Sequence, residues 1–425
     1  MRRTRAALAA LEAAGLPRRL LPVVAASLTA AALVGVPASA AAARDPNLTG
    51  TAAALIEQST GAQLYVSNAN AELPIASTTK LMTALLTLEQ VPRLSTIFTQ
   101  NDYVPAAADS VISLVPGERM SVHDLLLAML LPSADDAAEE LANNIGHGSV
   151  TEFVAMMNDR ALQLGLAHTH YSTPIGLDTP GNYSSASDLV ELARYLLIHE
   201  PFFARAVRAR DAVLRTGHYV RQVANRNDLV GRVRWITGVK TGHTADAGYV
   251  LVGSGTRDGM TLISAVLGTP SPAARDASTL ALLDYGFANF RLTRPIVAGM
   301  VLARPPVRDQ PGLRPQVIAA RTVTQVVPRD ESVQVKLELP HELAGPLARH
   351  AVVGTAVALA SGRAIARVPL VLVSAVPAAS PLMVAARLIA RPFTLVLLVV
   401  LVAAAIALIL RRRMRGRDPA GPEPA

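Results

Sequence analysis

The run FTLVLLVVLVAAAIALIL, residues 393–410, holds eighteen residues without a charge, and RRRMRGR follows it at once. As a helix, such a run is just long enough to cross about 30 Å of hydrocarbon. A buried core helix would not be followed by five arginines in seven residues. Positive charge is retained on the cytoplasmic side, so 411–425 reads as a basic cytoplasmic tail and everything before residue 390 is expected outside. The other end agrees. Residues 1–19 carry arginines, LLPVVAASLTAAALVGVP (20–37) is apolar, and Ala38-Ser39-Ala40 satisfies the small-x-small cleavage rule. Residues 1–40 therefore read as a signal peptide, with an uncleaved anchor helix as the alternative, and an exported region is expected between the two apolar segments.

This layout accounts for the formal charge of +8. The first 40 residues carry five arginines against one glutamate, and the last 15 carry five against two acids. Almost no excess is left between them, so neither a polyanion-binding surface nor a nucleic-acid partner is expected. With no cysteine there is no disulfide, thiol nucleophile or thiolate metal site. Glycine-rich phosphate loops and internal repeats are lacking too. His168 and His170 lie close together between polar residues and read as a solvated turn. No metal and no cofactor is expected.

TAAALIEQSTGAQLYVSNAN (51–70) reads as a hairpin turning at Ser59-Thr60-Gly61. Helical patterns follow at 77–90, 121–131, 136–145, 150–164 and 186–198, with Ser121 as an N-cap. GYVLVGSGTRDGMTLISAVLG (248–268) is again two strands around a glycine-containing turn, and a helix follows over roughly 272–289. Strands at both ends and helices between give an α+β domain over 46–290, its sheet built from the termini and packed on a helical insert. From 295 to 376 the pattern changes to short Val-rich runs broken by Gly, Pro and Asp, a small β-rich domain. PAASP (377–381) links it to the transmembrane helix.

Of 40 lysines and arginines only Lys80, Lys240 and Lys336 are lysine. Where a generic positive charge suffices the chain uses arginine. A retained lysine points to a task arginine cannot perform, above all giving up a proton. Lys80 stands three residues after Ser77, one turn on along the same helix face. At a helix start the Ser77 backbone N–H favours developing negative charge. A serine hydroxyl is a weak nucleophile until a base takes its proton, and a desolvated lysine can be that base. A capping serine beside a surface lysine would give the same string. The second lysine lies in WITGVKTGHTADAGYVLVGSG (235–255), just before a strand. There Gly242 allows close backbone approach, while Lys240 and Thr241 suit an anionic carboxylate.

Ser77-Thr-Thr-Lys80 with Lys240-Thr-Gly242 resembles the penicillin-binding-protein and serine β-lactamase superfamily. LPIASTTKLMTALL, STPIGLDTPGNYSSASDLVELARYLL (172–197), ANRNDLV (224–230) and GVKTGHTADAGY narrow the resemblance to the low-molecular-weight D-alanyl-D-alanine carboxypeptidases, over roughly 48–290. The resemblance implies a β-lactamase/transpeptidase-like domain acting by two-step acyl transfer on peptidoglycan stem peptides ending in D-Ala-D-Ala. Ser77 would attack the carbonyl between the two D-alanines and Lys80 would take its proton. The backbone N–H groups of Ser77 and His243 would form the oxyanion hole. Lys240 and Thr241 would hold the terminal carboxylate, and β-lactams would acylate Ser77 covalently. Ser133 would relay a proton to the leaving amine; its alternative reading is the N-cap of the helix at 136–145. The family's middle motif is Ser-x-Asn, whereas this chain has Asp135 at the Asn place. An ionised carboxylate has no donor for the substrate's carbonyl. Its charge also raises the pKa of Lys80. Either Asp135 is protonated or another group donates.

Three rivals follow. A β-lactamase needs a carboxylate that activates water, and none of Glu139, Glu140, Glu152, Glu191 and Glu200 lies in a loop of the form Glu-x-x-x-Asn. A catalytically weak or silent penicillin-binding protein has Asp135 as its support. A Ser-Lys signal peptidase leaves Lys240-Thr241-Gly242 unexplained. The β-rich domain reads as a spacer that holds the site off the bilayer, by fold-level analogy, with a partner-binding surface as the alternative.

Overall fold

The computed structural model describes residues 45–415 except 102, 108, 390 and 391, so the signal-peptide segment and residues 416–425 of the tail lie outside the described residues. The first strand, β1 (Ala52–Glu57), is buried along its whole length. Such an unbroken apolar run fits a strand covered on both faces. Ala52, Ala54 and Ile56 join one core with the helical insert. Ala53 and Leu55 point the other way, into a second core. β1 turns back into β2 (Gln63–Ser67), where the Glu57 carboxylate accepts from the Thr60 N–H at 2.8 Å and its hydroxyl at 2.7 Å.

The chain then enters the helical insert through a 3₁₀ turn, Ala76–Thr79, that runs into α1 (Lys80–Gln90). A two-stranded ladder of β3 (Ile97–Thr99) and β4 (Arg119–Ser121) leads to α2 (Val122–Leu130), where the Ser121 hydroxyl caps the Asp124 N–H at 3.2 Å. Next come α3 (Asp135–Ile145), α4 (Val150–Gln163), α5 (Ala186–His199) and the short α6 (Pro201–Ala206). Ser149 and Ser185 cap α4 and α5 by accepting N–H bonds from the third residue on, the role such hydroxyls fill at helix starts. A hairpin of β5 (Asp211–Leu214) and β6 (Arg221–Ala224) closes the insert.

β7 (Ile236–Thr244), β8 (Gly248–Arg257) and β9 (Met260–Thr269) complete an antiparallel sheet in the order β2-β1-β9-β8-β7, which leaves β7 at an edge. α7 (Pro272–Asn289) covers the face away from the insert through Leu282, Leu283 and Phe287. The molecule is therefore α+β, with a sheet made from both ends of the domain between one helix and a helical insert.

α7 runs without a break into β10 (Phe290–Ile296), which pairs with β13 (Val323–Pro328). Residues read from sequence as the end of the first domain and its junction thus form a strand of the β-rich region. Its larger sheet has the order β11-β12-β16-β15-β14, from Val301–Ala303, Val317–Ala319, Arg363–Leu372, Val352–Ala360 and Val333–Glu338. Ile296, Val317, Val323, Val368 and Leu370 form its own core. After it come α8 (Pro381–Ile389) and α9 (Pro392–Arg415). Leu395–Met414 is long and apolar enough to cross a membrane, and none of it is buried against the protein.

Candidate active site

The site forms where α1, α3 and the edge strand β7 meet. Ala76 adopts φ +48°, a left-handed conformation that turns the chain sharply into the 3₁₀ turn and leaves Ser77 half-buried. Ser77 precedes the α-helix itself, but the separation of three residues still stacks it against Lys80. The Lys80 Nζ lies 3.0 Å from Ser77 Oγ, 2.5 Å from Asp135 Oδ1 and 2.6 Å from the Ile175 carbonyl. An ammonium has three donors, and here each has one acceptor. Lys80 is 0% exposed. Burial pushes its pKa below the ordinary value, the Asp135 carboxylate pulls it up, and the net shift is down. Asp135 thus opposes the loss of the proton as the sequence argument requires, and burial outweighs it.

The Ile175 carbonyl reaches Lys80 because the next residue is glycine. Gly176 has φ +90°, and a Cβ there would fall 2.1 Å from the Ala76 carbonyl oxygen. Gly242 on β7 plays the matching part on the opposite side. A Cβ there would lie 3.0 Å from Ala76 Cβ and 3.1 Å from the Ser77 nitrogen. Only a bare backbone lets the edge strand run so close to the turn that carries Ser77. His243 follows directly and is exposed, its ring stacked on Tyr249 at 3.9 Å.

Lys240 donates to Ser133 Oγ at 2.9 Å and to the Thr241 carbonyl at 3.0 Å. It is buried behind Thr241, Gly242 and His243, which line the cavity. Burial pushes its pKa well down, with the charges of Lys80 and Arg226 adding to the effect and Asp135 opposing it. The sequence assigned Lys240 a fixed charge in contact with ligand. In the structure its side chain lies behind the cavity wall rather than in the lining. The alternative reading of Ser133 as an N-cap is not seen: α3 has Ala134 at its N-cap with no side-chain cap, and the Ser133 hydroxyl accepts from Lys240. Ser133 holds φ +69°, a strained conformation for a serine of the kind that clusters at functional sites.

Asp135 opens α3, where the helix start favours negative charge. Its Oδ1 faces Lys80, its Oδ2 accepts the Ser110 N–H at 2.7 Å, and its own N–H donates to the Ser110 carbonyl at 2.6 Å. Asp136 beside it accepts from the Ile112 and Leu114 N–H groups at 3.1 and 3.0 Å. Two adjacent acids thus fix the loop between β3 and β4.

Ser77, Ser133, Asp135, Thr241, Gly242 and His243 share one cavity of about 950 Å³. Sequence reasoning missed three of its features. Ser110 lies in a stretch with no periodicity and gave no signal. Arg226 and Gly176 fell inside strings quoted only for their resemblance. An ionic group also lines the cavity: Arg232 bridges Asp228 at 2.7 Å and Asp276 at 3.1 Å, and Arg275 bonds Asp276 at 2.7 Å. Lys336, in contrast, lies exposed on β14. Among the described residues no group of three or more His, Cys, Asp and Glu side chains is arranged to hold a metal.

A family model described as D-alanyl-D-alanine carboxypeptidase matches residues 39–271. The carboxypeptidase DacF of Bacillus subtilis is 30% identical over 325 residues, covering 75% of this chain and 83% of that one. DacA of Escherichia coli K12 is 32% identical over 343 residues, covering 76% and 82%. Among solved structures, penicillin binding protein 5 from Haemophilus influenzae superposes with a TM-score of 0.65 at 30% identity, over 79% of this chain and 99% of that one. The Streptomyces K15 DD-transpeptidase gives 0.55 at 32%, over 58% and 99%. The match extends past the sheet and insert into the β-rich region, and with it the chain belongs to the D-alanyl-D-alanine carboxypeptidase family of serine peptidases.

Proposed function

We propose that this chain removes the terminal D-alanine from peptidoglycan stem peptides through an acyl-enzyme on Ser77, and that β-lactams acylate the same oxygen. The observation that carries the reading is Ser77 Oγ in an open cavity, 3.0 Å from a buried amine whose pKa burial has lowered. Once Lys80 has lost a proton it keeps two N–H donors for Asp135 and Ile175, and its lone pair faces the Ser77 hydroxyl. Lys80 then takes the hydroxyl proton as Oγ bonds to the carbonyl carbon. The oxyanion formed would be met by the N–H groups of Ser77 and His243, a contribution of about 3 kcal/mol per donor. The substrate extends along the open edge of β7, a mode in which backbone bonds supply affinity. Its terminal carboxylate meets Thr241, with Lys240 behind it and Arg226 in the lining. As the C–N bond breaks, the proton that Lys80 took passes by way of Ser133 to the D-alanine amine, which leaves as the free amino acid and returns Lys80 to its neutral form. Water then hydrolyses the ester, Lys80 again acting as base.

The apolar helix α9 and the arginines after it support a single-pass anchor, with the site outside the cytoplasm facing the cell wall. The test is release of D-alanine from a diacyl-Lys-D-Ala-D-Ala tripeptide by the purified chain in detergent. The wild type releases it and Ser77→Ala does not. Release undiminished in Ser77→Ala, or none from the wild type, overturns the reading.

A further inference from the structure

An extended peptide in this cavity presents, besides the scissile carbonyl, the carbonyl of the amide one residue earlier. That oxygen loses water on entry and needs a donor in its place. Asp135 is the side chain nearest in kind, and it cannot serve. One of its oxygens is engaged by Lys80 and the other by the Ser110 N–H. An ionised carboxylate adds no donor of its own. Ser133 accepts from Lys240, and the proposed mechanism commits its O–H to the leaving amine. The Arg226 guanidinium lines the cavity as well, but its charge matches an anionic terminus rather than a neutral carbonyl.

Ser110 lines the same cavity beside Ser77 and Asp135. Its hydroxyl bonds no side chain or backbone group among the described residues, although its backbone is held twice. Its N–H gives 2.7 Å to Asp135 Oδ2, and its carbonyl accepts 2.6 Å from the Asp135 N–H. Asp136 holds the following residues through Ile112 and Leu114. A free hydroxyl on a backbone fixed at both polar atoms is a partly preorganised donor: only its side-chain torsions are left to order when substrate arrives.

We propose that the Ser110 hydroxyl donates to the substrate carbonyl preceding the penultimate residue, replacing the donor that aspartate at 135 removes. Asp135 thereby acts twice: as the acceptor for Lys80 and as the clamp that aims Ser110. The inference rests on the proposed peptidase reading and specifies one contact of that same site. With asparagine at 135, the amide nitrogen stands where Oδ2 now accepts the Ser110 N–H. The side-chain half of the clamp is lost, the backbone bond from residue 135 to the Ser110 carbonyl remains, and the amide becomes the cavity's donor.

The test is a double-mutant cycle on the full chain in detergent, with kcat/KM measured on the diacyl-Lys-D-Ala-D-Ala tripeptide for wild type, Ser110→Ala, Asp135→Asn and the double variant. Two neighbours that serve one carbonyl are expected to be strongly non-additive. Ser110→Ala in the wild-type background lowers kcat/KM about tenfold. In the Asp135→Asn background the same change stays within about twofold. Ser110→Thr, which keeps the hydroxyl, restores most of the wild-type value. An equal loss in both backgrounds, no loss in the wild-type background, or a Ser110→Thr variant as slow as Ser110→Ala overturns the inference. A wild type that releases D-alanine while Ser110→Ala is unaffected removes this inference alone. A wild type that releases none removes the peptidase reading and this inference with it.

Discussion

Lys80 and Lys240 are both fully buried and the third lysine, Lys336, is exposed on a strand of the β-rich region. The first two were legible because a chain that otherwise spends arginine on positive charge kept an ionisable amine at each place. Asp135 was legible as a departure from Ser-x-Asn, and its second oxygen was not: Ser110 lies 25 residues away in a loop with no repeating pattern. What burial does to Lys240 also escaped the sequence, since a Lys-Thr-Gly string does not say which side of a strand faces ligand. The opposition between burial and Asp135 at Lys80 yields a prediction. The base works when Lys80 is neutral, so acylation climbs as pH rises through its pKa. Asp135 raises that pKa, and Asp135→Asn removes the charge. The acidic limb of the fluorescent-penicillin labelling profile should therefore move to lower pH in Asp135→Asn. A limb that stays put or moves upward would show that Asp135 does not tune Lys80.

At the scale of elements, α3 concentrates acid. Asp135 and Asp136 open it, and Glu139 and Glu140 follow one turn on, all buried. Burial and the Asp135 charge push Glu139 up to about 7. Burial, with lesser contributions from Glu118 and Asp136, pushes Glu140 up to about 8, while Asn144 opposes it. A carboxyl whose folded pKa lies above its unfolded one binds a proton more tightly when folded. Its stabilising contribution is therefore present below the ordinary 4.5 and lost as pH rises through about 8. The melting temperature of the wild type should fall across that window, and that of Glu140→Gln should fall less. Equal slopes for the two proteins would refute the assignment. The strands at 52–67 and 248–269 and the helices around them were readable because both cores follow the periods of two and of three to four. The short ladders β3–β4 and β5–β6 were not, since strands of three and four residues carry too few alternations to register. β10 was taken for a junction because its partner β13 is distant in sequence.

For the whole molecule, the apolar helix α9 is consistent with a single-pass membrane anchor, and the sheet-and-insert region carries the candidate site. The β-rich region has a core of its own, and Arg387 in α8 bonds Asp309 at 3.1 Å and Glu342 at 3.4 Å on its surface. Both bonds are exposed, and such pairs contribute about 0–1 kcal/mol. A chain ending at residue 376 should therefore leave the membrane fraction and still be labelled by fluorescent penicillin as the full chain is. Truncated protein that stays in the pellet after alkaline extraction would refute the anchoring. The claim beneath all of this is the covalent chemistry at one oxygen. Intact mass, followed by peptide mapping of the chain after incubation with benzylpenicillin, reads it directly. The account predicts one adduct per molecule, carried by Ser77 and absent from Ser77→Ala. No adduct, or an adduct on another residue, would contradict it.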